Sequence, residues 1–203
     1  EFERVFLIGF GKGSAKNSKL IEEKLGEKLT EGYVIDTNPE EFKKIKFTLG
    51  THPLPSPGNV EFTDSVIKRA KELNLTKKDL IIVVICGGGS AMFVHPSKVG
   101  LEKKIQVEKA LLKSSANITE INTVRQHLSS VKGGGLAQIL YPANVASLIF
   151  SDVPGNNLSF IASGPTVRDN TTIDDALGLL KKYNLLAKLG LSYEDFVENP
   201  KEE

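Results

Sequence analysis

Arg4 to Gly9 is a short apolar run that gives way to Gly-Phe-Gly-Lys-Gly-Ser, and helical spacing follows from Ala15 with Leu20, Ile21 and Leu25 on one face. The pattern predicts a strand, a tight turn and a helix. Gly32 to Ile35 and Ile45 to Leu49 predict two further short strands, each closed by turn residues. Thr51 to Gly58 holds three prolines, which fix φ and remove backbone donors, so a stiff extended loop is expected there. Helical spacing resumes from Val60 to Leu73 through Phe62, Val66, Ile67, Ala70 and Leu73. Leu80 to Cys86 is continuously apolar and β-branched, the pattern of a strand covered on both faces, and it is expected at the centre of a sheet. Helices are predicted over Leu101 to Ser115, Ile118 to Ser129, Gly135 to Leu140 and Ile173 to Tyr183, the last anchored by Leu177, Leu179 and Leu180. Val145 to Phe150 is expected to be a second buried strand.

Strands alternating with helices, and glycine turns following strands, predict an α/β, Rossmann-like three-layer domain with a mainly parallel sheet. Residues 1–190 are assigned to that domain and 191–203 to an acidic tail or the start of a linker. In such sheets ligands bind beyond the carboxyl ends of the strands, where the glycine turns fall.

Composition narrows the function classes. Across 203 residues, 26 Lys and Arg offset 25 Asp and Glu, so no bulk charge points to nucleic acid. The longest apolar run is too short to span a bilayer, and the first residues lack a secretory signal, so a cytoplasmic protein with no membrane partner is expected. The one cysteine, Cys86, can form no internal disulfide. The chain begins without an initiator methionine and reads as a trimmed piece or a fragment.

The candidate chemistry sits in the turns. Gly9-Phe-Gly11-Lys12-Gly13-Ser14 has two glycines of a dinucleotide fingerprint but Ser14 at the third place, and no Walker A register passes through Lys12. What remains is close backbone approach, a helix N-terminus that attracts anions, and the charge of Lys12. Gly87-Gly88-Gly89-Ser90 follows the most apolar strand, and three glycines carry an entropic cost that an anion or hydroxy-acid cradle would justify; a crowded crossing is the plainer alternative. Ser90 lacks the G-x-S-x-G elbow of a nucleophile. Arg125, Ser129 and Lys132 share a face if their helix is unbroken, and that cationic face would lead to Gly133 to Gly135 and suit a phosphorylated ligand. The same spacing also describes a solvated stripe. Asp152, directly after a strand, suits a magnesium ligand or an acid/base, and also a turn cap. His52, in the proline loop, could orient a substrate. His127 alone is read as a packed or surface residue.

Gly9-Phe-Gly-Lys12, Gly50-Thr-His-Pro53, Gly87-Gly-Gly-Ser-Ala91, Glu120-Ile-Asn-Thr-Val-Arg125, His127-Leu-Ser129, Lys132-Gly-Gly134, Ser151-Asp-Val-Pro-Gly155 and Ile161-Ala-Ser-Gly-Pro-Thr166 together resemble the glycerate 2-kinase family, in order across nearly the whole chain. The resemblance implies transfer of the ATP γ-phosphoryl to the 2-hydroxyl of D-glycerate with magnesium, in a cleft between a larger N-terminal domain and a smaller C-terminal one called MOFRL. Only the N-terminal domain is recognisable. By that resemblance Lys12 neutralises the transferring phosphoryl, the triglycine loop and Ser90 hold glycerate or phosphate, Arg125 and Lys132 face the cleft, and Asp152 holds Mg2+ or takes the hydroxyl proton. Two residues depart from the family pattern, Cys86 in place of serine and Asn156 in place of a second aspartate. The C-terminal domain is expected as the partner, in cis or as a separate chain, and a homodimer stays open. The competing readings are a non-catalytic metabolite-binding or partner-docking module and a sugar-phosphate isomerase with similar loops.

Overall fold

The computed structural model describes residues 1–151 and 154–200. Among them five strands, β1 (Arg4–Phe10), β2 (Leu29–Asp36), β3 (Ile45–Leu49), β4 (Asp79–Ile85) and β5 (Asn144–Ile149), form one sheet in the order β3-β2-β1-β4-β5. Every neighbouring pair is parallel. The helices are α1 (Ser14–Leu25), α2 (Pro57–Glu72), α3 (Gly89–Met92), α4 (Gly100–Lys113), α5 (Ile118–His127), α6 (Gly135–Leu140) and α7 (Ile173–Lys182). The chain builds outward from β1 to β3 and then returns to lay β4 on the other side of β1. The strand order therefore reverses between β1 and β4, and in sheets of this kind ligands bind in the crevice beyond the carboxyl ends at such a reversal.

Alternation along β1 divides the two faces. Phe6, Ile8 and Phe10 join Ile81, Val83 and Ile85 of β4 beneath α2 and α6, which contribute Phe62, Val66, Ala70, Leu136 and Leu140. Leu7, Val34, Val84 and Cys86 face the other way, with Ala15, Ile21 and Leu25 of α1 packed against them. The middle of the sheet is β1, with β4 beside it, so the strand expected at the centre is an interior neighbour. The α/β expectation of a mainly parallel sheet is met by one that is parallel throughout the described strands.

Three expectations change. Leu20 is 53% exposed, and the stripe that α1 buries is Ser14, Ala15, Ser18 and Glu22. Small residues there let the helix lie close to the sheet: a Cβ on Gly9 would stand 2.7 Å from the Ser18 hydroxyl. Buried Glu22 accepts from the amides of Lys43 (3.0 Å) and Lys44 (2.7 Å) at the entry to β3. Apolar spacing is blind to a serine stripe. Next, β5 is an edge strand with one face open: Leu148 and Phe150 are 43% and 48% exposed on the side of α1, which packs over β2, β1 and β4. Its opposite face packs Val145 and Ile149 on the core.

The third change concerns the end of the chain. A second core gathers α4, α5 and α7 around Val107, Leu111, Val124, Leu128, Ala176 and Leu180, and Leu191 and Phe196 are buried in it. Val197 donates its amide to the His127 carbonyl at 2.9 Å, and Asn199 bonds Asp169 at 2.7 Å. Residues 191–200, expected as a tail or linker, are packed against this helical core. His127 is buried as well, held between the Val197 carbonyl (2.8 Å) and the Thr171 hydroxyl (3.1 Å). Among the described residues no helix is long and apolar enough to cross a membrane.

The first glycine turn is fixed from β2. Buried Asp36, the last residue of that strand, places Oδ2 on the amides of Gly13 (2.8 Å) and Ala15 (2.9 Å), and Oδ1 on the amide of Thr37 (2.6 Å). A carboxylate of the protein thus occupies the N-terminus of α1, the place the sequence offered to an external anion. Asp36→Ala is expected to lower unfolding free energy by about 1–3 kcal/mol in urea titrations, with Asp36→Asn recovering part of the loss. An unchanged midpoint in both variants would show that the cap carries no stability.

Candidate functional site at the β1/β4 crevice

The first two glycine turns touch each other across the strand reversal. The Lys12 amide donates to the Gly87 carbonyl at 2.8 Å, and the Cys86 amide donates to the Phe10 carbonyl at 3.0 Å. Gly11, at φ +105°, leaves no room for a side chain, since a Cβ there would lie 2.3 Å from the Cys86 carbonyl oxygen. Gly88, at φ +79°, has the His52 ring against it, with a built Cβ only 2.7 Å from His52 Cδ2. Gly89 is pressed between Phe10 and Ala162, each 3.0 Å from a built Cβ. The Phe10 and Phe93 rings stack 4.4 Å apart among the buried side chains. Buried Asn59 ties the proline loop down, taking the Thr51 amide (3.0 Å) and donating to the carbonyls of Thr51 (3.0 Å) and Ala91 (2.9 Å). Lys12, Gly87, Gly88, Gly89, Ser90 and His52 therefore gather at one crevice. Lys12 and His52 are exposed there, and Ser90 is half-buried.

Asp152 lies outside the described residues. The chain approaches it beside the end of β4, where the Phe150 amide donates to the Ile85 carbonyl at 2.8 Å. Among the described residues no group of three His, Cys, Asp or Glu side chains is placed to hold a metal ion.

Arg125 and Lys132 do not share a helix face. The helix α5 ends at His127, and Ser129 and Lys132 follow in the turns after it. Lys132 is 1% exposed, and its ammonium donates to the Ala162 carbonyl at 2.9 Å. Glu108 pairs with Lys104 and stands 3.6 Å from Arg125 Nε, itself buried without a hydrogen bond. Burial raises the Glu108 carboxyl, but Lys104, Arg125 and Lys132 together outweigh it and hold it below the usual range. Burial, reinforced by the charge of Lys104, pushes Lys132 well below the usual lysine range, against the pull of Glu108. Instead of a solvated stripe, the fold encloses three basic side chains around one carboxylate.

The third glycine cluster is closed by the protein itself. The amides of Gly133, Gly134 and Leu136 donate to the carbonyls of Ser163 (3.1 Å), Gly164 (2.8 Å) and Pro165 (3.0 Å). A Cβ on Gly135 would sit 2.1 Å from the Ser130 carbonyl oxygen. Gly133 and Gly135 thus serve close packing. The loop they hold, Ile161 to Thr166, reads in the sequence as a polar, stiff loop that could line the same cleft. Ala162, Ser163 and Gly164 are successive left-handed residues, at φ 52°, 61° and 61°. The Ser163 hydroxyl lies 3.2 Å from that of Ser90 and bonds Asn122 Oδ1 at 3.2 Å. The loop was legible as polar and stiff. Left-handed backbone at Ala and Ser, and contacts across 41 and 73 residues, leave no local trace in the sequence.

Comparison with known proteins places this geometry in a family. The profile of a domain of unknown function, DUF4147, matches residues 1–198. The chain belongs to the DUF4147 family. It is 37% identical to a Thermotoga maritima D-glycerate 2-kinase over 98% of this chain and 48% of the relative, and 39% identical to a Pyrococcus horikoshii glycerate 2-kinase over 98% and 45%. The crystal structure of the Thermotoga glycerate kinase superposes with a TM-score of 0.89 at 34% identity, covering all of this chain and 50% of that one. An Agrobacterium vitis relative, 40% identical over 90% of this chain and 48% of its own length, carries the provisional name hydroxypyruvate reductase. The chain thus spans about half the length of the relatives it matches, and the resemblance to one domain of the glycerate 2-kinases holds.

Within this DUF4147 domain Asp36 caps the N-terminus of α1. In dinucleotide-binding folds the acidic residue after the second strand binds ribose, and glycines let the pyrophosphate approach the helix N-terminus. Here that carboxylate bonds the amides of Gly13 and Ala15. The buried lysine generates a pH test. Its folded pKa is depressed, so between that value and the usual 10.5 the unfolded chain binds a proton that the folded chain refuses, and stability is lost as pH falls. Urea unfolding of wild type and Lys132→Met from pH 10 down to pH 7 is expected to turn steadily against the wild type. A gap independent of pH would mean that Lys132 keeps an ordinary pKa.

Proposed function

We propose that this domain supplies the substrate-binding and phosphoryl-stabilising half of an ATP-dependent D-glycerate 2-kinase, completed by a second domain in cis or from a separate chain. The observation that carries the reading is the meeting of the Lys12 turn, Gly87 to Ser90 and His52 at the strand reversal. A dissociative phosphoryl transfer asks little covalent chemistry of a protein and much positioning and charge neutralisation. The exposed ammonium of Lys12 would neutralise the γ-phosphoryl as its charge spreads. Gly87, Gly88 and Gly89 would let the anionic ligand reach backbone, with His52 closing one side and Ser90 the floor. Arg125 would act from beneath as an enclosed positive charge, and Lys132 as the support of Ala162. The substrate hydroxyl oxygen bonds to phosphorus as the bond to the β,γ-bridging oxygen of ATP breaks, and the hydroxyl proton passes to Asp152. Magnesium, when bound, would offset phosphate charge. Asp152 is its candidate protein contact, and the roles given to the other residues do not depend on it.

A coupled ADP-release assay with Mg-ATP and D-glycerate, run on this chain with and without a supplied second domain, tests the reading. ADP formed only with D-glycerate supports it, and turnover confined to the two-domain mixture would locate part of the site on the partner. Silence in both arms overturns it in favour of a binding module. In the active preparation Lys12→Ala is expected to cut kcat by about 10²–10³-fold, the scale of losing one charge-stabilising donor, with no shift in thermal midpoint. Unchanged kcat would remove Lys12 from the chemistry.

A further inference from the structure

The hydroxyl chain behind the triglycine loop has a direction. An amide oxygen can only accept, so the proton of Ser163 is spent on Asn122 Oδ1, at 3.2 Å. The Ser163 oxygen is then left to receive the proton of Ser90, whose hydroxyl lies 3.2 Å away. With its proton turned inward, half-buried Ser90 presents only lone pairs to the crevice.

We propose that Asn122 is a positioning residue that makes Ser90 an acceptor, so that Ser90 reads a hydroxyl group of the substrate and leaves its carboxylate or phosphate to the backbone amides and Lys12. The inference rests on the glycerate reading and assigns a selective task inside it. Two observations beyond the chain itself support it. Asn122 is 3% exposed and its Nδ2 has no hydrogen-bond partner, an expense that a similarly sized leucine would avoid, yet the acceptor end is used. Ser163 is also held where strain alone would not leave it. Its left-handed segment is pinned by Lys132 on the Ala162 carbonyl (2.9 Å), and by the Gly133 amide (3.1 Å) and Gln126 Nε2 (3.5 Å) on the Ser163 carbonyl. A fixed backbone gives the Ser163 hydroxyl a fixed aim.

The test is ligand binding followed by amide chemical shifts, which reads affinities into the millimolar range without needing turnover. D-glycerate is titrated against lactate, which lacks the 3-hydroxyl, and 3-hydroxypropanoate, which lacks the 2-hydroxyl. Wild type is expected to bind one of these analogues about tenfold more weakly than D-glycerate, the scale of one lost hydrogen bond. Asn122→Asp keeps the acceptor and should retain that discrimination. Asn122→Leu should erase it, binding D-glycerate about tenfold more weakly while keeping or raising the unfolding temperature. Ser163→Gly, which suits a left-handed backbone and removes only the hydroxyl link, should match Asn122→Leu. Equal binding of D-glycerate by wild type and Asn122→Leu overturns the assignment and leaves the kinase reading intact. Equal losses in the Asp and Leu variants overturn it as well, since the donor end would then be the one that matters. No binding of D-glycerate to the wild type, alone or with the second domain supplied, overturns the kinase reading itself, and this inference with it.

Discussion

The arrangement at the head of the domain depends on one close approach, that of Gly11 to the Cys86 carbonyl. With 2.3 Å between a built Cβ and that oxygen, no side chain fits, and the Lys12 amide bonds the Gly87 carbonyl one residue further on. Two turns that are 75 residues apart along the chain are thereby locked at the reversal of strand order, and Asp36 fixes the first of them from β2. Everything assigned to the crevice follows from that lock. His52 can lie on Gly88 because Gly88 has no side chain, and Asn59 holds the loop that delivers it.

Behind the crevice the fold sets strain and charge against each other. Three consecutive left-handed residues, two of them not glycine, would relax if released. They are restrained by a buried lysine and by amides of the glycine-rich turn, which can come near because those glycines carry no side chain. Lys104 and Arg125 beside Glu108 give that wall an excess of positive charge, while burial disfavours a charge on Lys132. In the proposed kinase reading such a field would add to the electrostatic stabilisation of the transferring group. A solvated lysine stripe would be largely screened.

Much of this was legible in the chain. The β-branched run Leu80 to Cys86 marked an interior parallel strand, because a continuous apolar run suits a strand covered on both faces. The motifs that resemble the glycerate 2-kinases belong to a DUF4147 domain. What escaped was whatever depended on long-range partners. Ser14 and Ser18 bury as readily as leucines where a helix must sit close to a strand. Asp36 fell among the turn residues after the predicted strand Gly32 to Ile35, and only the fold shows that it accepts the amides of Gly13 and Ala15. Lys132 looked like a surface cation because spacing extended the helix past His127. The edge position of β5 was hidden because Leu148 and Phe150 are as apolar as core residues.

The central claim is that ligand binds where the Gly11 and Gly87 turns meet. Mapping amide chemical shifts on the 203-residue chain during addition of D-glycerate and then a non-hydrolysable Mg-ATP analogue tests it most directly. The account predicts saturable shifts concentrated at Gly11 to Gly13, His52 and Gly87 to Ser90, with β3 and the outer face of α7 silent. Saturable shifts elsewhere, with those turns unmoved, would contradict it.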